Sequence, residues 1–362
     1  MTPRPAVTLL LPNRNNDHVL DLVLARLAEH TTYPSYELVV VDDGSTDGSL
    51  DILRRWRAAG RLPNFTLIER EHEGVVAALN AGLAAASGEL IVQLDGDATL
   101  ETPGWLEKMV DFYESDPRVG VVSPLVIFDN GWVQAAGVNM ICREGLHDRS
   151  ARPIEPPGRR TFNTRVERVT RDDAGATVTK PAEVDAAIGV CMLFPRALAE
   201  SLGGYDRNFS PVWFDDLDLS LSARRLGAKV FFLPDVELVH RMALREDRKP
   251  PPATRGARAR KRVRSAVASV VPNAARSVVR RIEWGNPRHP PHEVRRLRHH
   301  YAYWREKWGF DPINPDLGQI LDRYRDTEVC WAHDATRRAA GERIVAAWQA
   351  TPPRAAVSVV DQ

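Results

Sequence analysis

Four apolar runs rich in β-branched residues, each closed by a polar or acidic cluster and the first three followed by a helix-length stretch, constrain this chain more than any other feature. The first, residues 7–12, stops at Asn13-Arg14-Asn15-Asn16 and leads into a helical pattern over 17–30. The second, 37–41, runs into Asp42-Asp43-Gly44-Ser45-Thr46-Asp47, a sharp turn into a helix with Thr46 or Asp47 predicted as N-cap. A third, 64–70, precedes the alanine-rich stretch 73–86, whose composition favours helix. The fourth, 89–94, ends in Asp95-Gly96-Asp97. Strand and helix thus alternate from the start, which predicts an α/β chain with a mostly parallel, doubly wound sheet covered by helices on both faces. In such sheets the ligand lies beyond the carboxyl ends of the strands, where all four polar clusters fall.

Asp95 and Asp97 leave their strand together. Alternate side chains on an extended backbone point the same way, so the pair can address one cation, or a ribose and a cation. A hard divalent ion already bound to substrate phosphates needs few protein oxygens. Taken alone the tetrapeptide Leu94-Asp95-Gly96-Asp97 reads equally as an acidic turn.

It does not stand alone. Pro12 and Asn15, Val41-Asp42-Asp43-Gly44-Ser45, Gly74 with Ala78-Leu79-Asn80-Ala81-Gly82, and Asp95-Gly96-Asp97 together resemble the family 2 glycosyltransferases of GT-A fold, in order and spacing. A second block strengthens the likeness. It comprises Gly203-Gly204-Tyr205-Asp206, Phe209, Phe214-Asp215-Asp216-Leu217-Asp218-Leu219-Ser220-Leu221, Gly227, Leu233-Pro234 and His240. This half is similar to the acceptor side of bacterial enzymes that build surface glycans, and the resemblance covers roughly residues 5–242. A motif in several ordered parts is far more specific than any one of them.

The resemblance implies sugar transfer from a nucleotide diphosphate to an acceptor hydroxyl with inversion at the anomeric carbon. It implies that Asp43 accepts from a pyrimidine imide N–H, so that the donor is UDP- or dTDP-linked, with Pro12 and Asn15 lining the same crevice. It assigns Asp97 to Mn2+ or Mg2+ directly and Asp95 to the ribose or the metal shell. His240 stands where some members add an imidazole ligand, a set that suits Mn2+ better than Ca2+. Asp216 matches the catalytic base, and Asp215, where Glu is commoner in the family, is expected to bind the acceptor. Apolar Trp213 and Phe214 beside these carboxylates would raise their pKa toward a value useful for proton abstraction. The competing reading makes Asp216 a helix N-cap before a helix over 217–226, and Asp218 a macrodipole residue. His72 stands where relatives carry Asn, leaving its role open; Asn80 is expected to bond backbone near the Asp95 loop, and Gly82 to allow close helix–sheet packing.

At 362 residues and 43% hydrophobic content, the chain can bury one large core plus a smaller unit. Residues 1–242 are expected to form the catalytic domain, with a nucleotide half (1–125) and an acceptor half (126–242). A basic linker is expected over 243–290 and a helical extension over 291–362. No apolar run approaches the roughly 18 residues of a membrane span, and the N-terminus lacks the plan of a signal peptide. Cys142, Cys191 and Cys330 imply neither a disulfide framework nor a zinc site. A cytoplasmic protein is the expectation. Residues 241–300 hold 17 Lys+Arg against 4 Asp+Glu in a chain of net charge +1, leaving −12 on the rest. The stretch 255–264 could therefore meet an anionic membrane or a phosphorylated acceptor, or be a solvated linker; no nucleic-acid motif accompanies it. The cluster Tyr301, Tyr303, Trp304 and Trp308 is expected to pack on the catalytic domain. Residues 126–143 read as a hairpin around Asp129-Asn130-Gly131, 144–183 as a polar flap, and 189–194 as a strand under the acceptor.

Two other enzyme classes use an α/β sheet. Nicotinamide dehydrogenases and nucleotide-sugar pyrophosphorylases both want a glycine-rich loop after the first strand, where this chain has Pro12-Asn13-Arg14-Asn15. The rival from outside enzymology is a nucleotide-sugar-binding protein of the same fold without catalysis.

Overall fold

The computed structural model describes residues 4–129, 133–142, 160–164, 180–241 and, apart from 301 and 305, 299–308. The stretch 255–264, residues 309–362 and most of 144–179 lie outside the described residues, as do Tyr301 and Cys330.

The alternation holds. β1 (Val7–Asn13), α1 (Asp17–His30), β2 (Tyr36–Asp43), α2 (Ser49–Ala59), β3 (Phe65–Arg70), α3 (Val75–Ala85) and β4 (Leu90–Leu94) follow one another, then β5 (Ala98–Leu100) and α4 (Trp105–Ser115). The acceptor half adds β6 (Val119–Phe128), β7 (Val133–Ala135), β8 (Val138–Cys142), β9 (Arg160–Thr164), β10 (Ala182–Val184) and β11 (Cys191–Pro195). It closes with α5 (Arg196–Ser201), a 3-10 turn at Arg207–Phe209, α6 (Asp215–Arg225) and β12 (Lys229–His240). The main sheet runs β10-β12-β6-β11-β4-β1-β2-β3, with β5 added on β12 and β7 on β6. Neighbours β4, β1, β2 and β3 are parallel, as are β6 and β12, whereas β11 lies antiparallel between β4 and β6.

Period-two alternation divides each central strand between two cores. Leu38 and Val40 of β2 pack with α1, α2 and α4 on one face, and Val39 and Val41 pack with α3, α5 and α6 on the other. Burial on both faces explains why these strands read as continuous apolar runs. Gly82 sits where α3 crosses the sheet: a Cβ there would lie 2.0 Å from Leu10 Cδ1 and 3.2 Å from Val41 Cγ2. Gly82→Ala is therefore expected to cost roughly 1–3 kcal/mol through overpacking. An unchanged denaturant midpoint would show that Leu10 repacks freely.

Several local expectations are corrected by tertiary contacts. The N-cap of α2 is Gly48, not Thr46 or Asp47. Asp47 instead accepts from Ser49 N–H and, across the strand ends, from Asp17 N–H, while Asp17 accepts from Gly48 N–H, so the two helix starts are tied reciprocally. α3 starts two residues later than expected because Gly74, at φ 105°, packs against Pro211. The hairpin expected over 126–143 forms only between β6 and β7; β8 turns away after Gly137 (φ 77°) and pairs with β9 in a separate two-stranded sheet. Asn80 bonds the backbone of Tyr205, in both directions, not the Asp95 loop. Asp218 is no surface macrodipole residue: it is buried and accepts from Lys307 Nζ (2.8 Å) and Trp308 Nε1 (2.8 Å). Trp304 and Trp308 pack with Phe209 and Leu221 in a third core, with Tyr303 against it, as expected of the C-terminal aromatics. Among the described residues no helix is long and apolar enough to cross a membrane.

Candidate active site

The fourth strand ends at Leu94, and the turn that follows is held by Asp95 N–H to Val190 O and Ala98 N–H to Asp95 O. β5 then pairs with β12 so that Ala98 stands opposite His240, which places His240 beside Asp97. His240 Nε2 lies 3.1 Å from Asp97 Oδ1, and ligand atoms of Asp95, Asp97 and His240 all fall within 4.8 Å of one another. Gly96 lets this turn approach β1 closely, since a Cβ there would lie 2.9 Å from Asn16 Nδ2 and 3.1 Å from Pro12 O and would push both away. The close approach brings Pro12 to the acidic turn.

Electrostatics make this cluster a seat for positive charge. Burial pushes the Asp95 carboxyl up to about 7; the neighbouring Asp97 charge adds to the shift, and His240 opposes it. Two carboxylates and an imidazole at this spacing match the donors of a hard or borderline divalent ion such as Mg2+ or Mn2+. His240 Nδ1 lies 2.9 Å from Gln134 Oε1, an acceptor that Nδ1 can serve only by donating, so Nε2 is the nitrogen that faces Asp97 and would turn a lone pair to a cation once the ring is neutral.

The nucleotide-side candidates are engaged with one another. Asp43 is buried and accepts from His72 Nδ1 (2.7 Å), Glu73 N–H (2.9 Å) and Gly74 N–H (2.8 Å), which anchors the loop between β3 and α3. His72 thus gains a defined partner. Asn15, at φ 54°, takes Thr46 N–H on its side-chain oxygen and gives its own N–H to Ser45 Oγ. Asp42 accepts from Asn13 Nδ2, Ser45 N–H and Ser45 Oγ.

Asp215 and Asp216 open α6 and are not its cap. The cap residue is Phe214, at φ 68°, preceded by Trp213 at φ 86°. Two successive non-glycine residues in the left-handed region cost of order 1–3 kcal/mol each, a strain that concentrates at functional sites. Asp216 accepts from Gly189 N–H on Oδ2 (2.8 Å) and from Leu217 N–H on Oδ1 (2.7 Å). Behind it, Gln93 Nε2 donates to Gly189 O and Tyr205 Oη donates to Gln93 Oε1. Burial raises the pKa of Asp216, while the Gly189 and Leu217 N–H groups favour its charged form. Adjacent residues join the two clusters: Gly189 N–H donates to Asp216 and Val190 O accepts from Asp95 N–H.

Asp215 is buried, and burial followed by the Asp216 charge pushes its carboxyl up to about 8 from an ordinary 3.8. The folded chain therefore holds a proton between those values that the unfolded chain releases. Stability from this group is complete below about pH 4 and gone above about pH 8. The melting temperature of wild type minus that of Asp215→Asn should fall as pH rises from 5 to 8; parallel curves would contradict the burial argument.

The structure brings Asp95, Asp97 and His240 together, with Pro12 at their turn, and sets Asp215-Asp216 nearby. Asp43 and Asn15 stand at the neighbouring strand ends. Sequence reasoning missed Gln93, Gln134 and the support that Tyr205 gives to Gln93. Gln93 carried a signal, a polar residue in an otherwise apolar strand; Gln134 carried none.

Beyond the strand ends of an open α/β sheet thus lie the cluster Asp95, Asp97 and His240, which could hold a metal ion, and two further carboxylates, Asp215 and Asp216. Residues 8–200 match the model of Glycosyl transferase family 2, over half of the chain, and the chain belongs to that family. It is 26% identical over 238 residues to the O-antigen biosynthesis protein RfbC of Myxococcus xanthus, covering 65% of this chain and 17% of RfbC. It is 37% identical over 109 residues to the glycosyltransferase AglE of Haloferax volcanii, 29% of this chain and 34% of AglE. The chain spans about a quarter or less of the curated relatives that match it over about two thirds of its own length. Among solved structures, GalNAc-T7 with UDP, GalNAc and Mn2+ shares the GT-A fold at a TM-score of 0.50 and 17% identity, over 66% of this chain and 44% of that one.

Proposed function

We propose that the chain is an inverting glycosyltransferase that moves a sugar from a UDP- or dTDP-linked donor to an acceptor hydroxyl, in the building of a bacterial surface glycan or glycoconjugate. The observation that carries this reading is the meeting of a possible cation seat (Asp95, Asp97, His240) and a backbone-held carboxylate (Asp216) on either side of the adjacent residues Gly189 and Val190. A protein that only bound nucleotide sugars would have no use for the second group. The O-antigen role in RfbC's name supports the glycan context.

Asp97, with Asp95 and His240, would hold Mn2+ or Mg2+, which when bound supplies positive charge against the departing diphosphate. Asp95 is also proposed to contact the ribose. Asp43, Pro12 and Asn15 are proposed to form the base crevice, with Asp43 fixing the 72–74 loop as its wall. In the transfer step the acceptor oxygen attacks the anomeric carbon, the bond from that carbon to the phosphate oxygen breaks, and the acceptor proton passes to Asp216. Two N–H donors aim the Asp216 carboxylate and favour its charged form, the form a base requires, against the burial that raises its pKa. Asp215 would bind the acceptor.

Incubation with a panel of nucleotide sugars tests the reading, with water standing in for the acceptor. Slow hydrolysis of a UDP- or dTDP-sugar that stops on chelation and returns with Mn2+ or Mg2+ is expected. Binding without turnover of any donor would leave the non-catalytic reading.

A further inference from the structure

We propose that the helical segment 299–308, although it lies about sixty residues beyond the last strand of the sheet, is a working part of this active site, in which Trp304 and His300 clamp the strained loop that aims Asp215 and Asp216. The inference rests on the transferase reading above. Trp213 and Phe214 immediately precede the two carboxylates, and both hold left-handed backbone conformations that their side chains disfavour. Such a conformation persists only where surrounding contacts over-determine it. For Phe214 such contacts come from the C-terminal segment. Phe214 packs its ring against Trp304 (centroids 5.2 Å apart) and His300 (6.5 Å), and Phe209, on the near side of the loop, packs against Trp304, Tyr303 and His300. His300 Nε2 also lies 3.1 Å from Ser210 O.

The segment is itself fastened from both sides of that loop. Lys307 Nζ bridges Asp206 (2.7 Å), before the loop, and Asp218 (2.8 Å), one turn into α6 after it. Tyr303 Oη donates to Asp206 (2.7 Å), and Trp308 Nε1 donates to Asp218. Residues 206 and 218 are therefore staples on either side of the 209–216 loop, and the clamp spans what lies between. Trp304, fully buried, is its centre. It touches no reacting group in this scheme and acts through Phe214, which makes it a positioning residue. The cation seat is built from the sheet, and the Asp43 loop, although it meets the clamped loop where Gly74 and Val76 touch Pro211, is held independently by the Asp43 carboxylate.

The test is Trp304→Ala in the full chain, measured as donor hydrolysis beside binding of the nucleoside diphosphate with Mn2+ by calorimetry. The expected result is a fall in kcat of about 10- to 100-fold with nucleotide affinity and KM for the donor within about twofold of wild type. The pH–rate profile should also move, as the environment of Asp216 loosens. Trp304→Phe, which keeps an aromatic wall, should restore most of the rate. If Trp304→Ala does not fold, Trp304→Leu takes its place with the same expectation and a smaller loss. A folded Trp304→Ala or Trp304→Leu with wild-type kcat and pH profile would overturn the proposal; so would a fall in kcat matched by an equal loss of nucleotide binding, which marks a general structural role. Asp216→Asn run alongside separates the two claims. If Asp216→Asn hydrolyses donor normally, the base assignment fails; if it is inactive while the Trp304 variants are normal, the clamp alone fails.

Discussion

Asp216→Asn is expected to lower turnover by roughly two to four orders of magnitude, the usual contribution of a positioned general base, while metal-dependent nucleotide affinity persists. The amide keeps the shape of the side chain but cannot take a proton at neutral pH. The substitution is not silent for stability. Asp216 uses one oxygen for Gly189 N–H and the other for Leu217 N–H, and an amide offers only one acceptor. One N–H is left facing an NH2 group, at a cost of about 1–3 kcal/mol. Removing a half-buried negative charge beside Asp215 offsets part of that loss. Rate and stability are thus expected to respond separately: a large loss of turnover with a modest change in melting temperature. A helix-cap role predicts the reverse, and the cap of α6 is already Phe214. Turnover near wild type in Asp216→Asn, with loss in Asp215→Asn, would move the base by one residue. Normal turnover in both would sink the mechanism.

The second large effect is expected at the cation seat. Asp97→Ala should abolish the metal-stimulated part of nucleotide diphosphate binding, because Asp97 is the carboxylate in contact with His240 and its charge helps to hold Asp95 above its ordinary pKa. The fold should survive, since Asp97 sits in a turn beyond β4 and contributes nothing to either apolar core. His240→Ala should give a milder loss of the same kind. Its ring is aimed by Gln134, which fixes the nitrogen that faces Asp97. Calorimetry that finds unchanged, metal-stimulated affinity in Asp97→Ala would remove the carboxylate from the metal's shell.

How far these conclusions were legible in the sequence depends on where each partner lies along the chain. α1 was read at its full extent, Asp17–His30, because apolar periodicity and the asparagine-rich stop before it are local. β2 and β4 came within a residue or two because strands buried on both faces leave no polar gaps; β3, a half-buried edge strand, came within one residue. The cap of α2 was misplaced by one or two residues because Asp47 divides its carboxylate between Ser49 and Asp17, a tertiary choice that no local rule contains. Asp218 was misjudged for the same reason: Lys307 and Trp308 lie 89 and 90 residues away. His240 and Asp97 are 143 residues apart, and only the resemblance to a known family put them in one site. Gln134 had no signal at all, since its role exists only once β7 has been laid against β6 beside the end of β12. The antiparallel entry of β11 was likewise invisible, because an apolar run does not state its direction.

The central claim is spatial: the donor's diphosphate rests at Asp95, Asp97 and His240, with its sugar turned toward Asp216. A crystal of the full chain grown with Mn2+ and UDP, and read by anomalous scattering at the manganese edge, tests it most directly. The account predicts one strong peak in direct coordination with Asp97 and His240 Nε2, bridged to the diphosphate oxygens, the uracil beside the Asp43 loop, and the Asp216 carboxylate facing the open side of the β-phosphate where the sugar would leave. A peak elsewhere, or a diphosphate bound with Asp216 on the far side of the sheet end from it, would contradict the account.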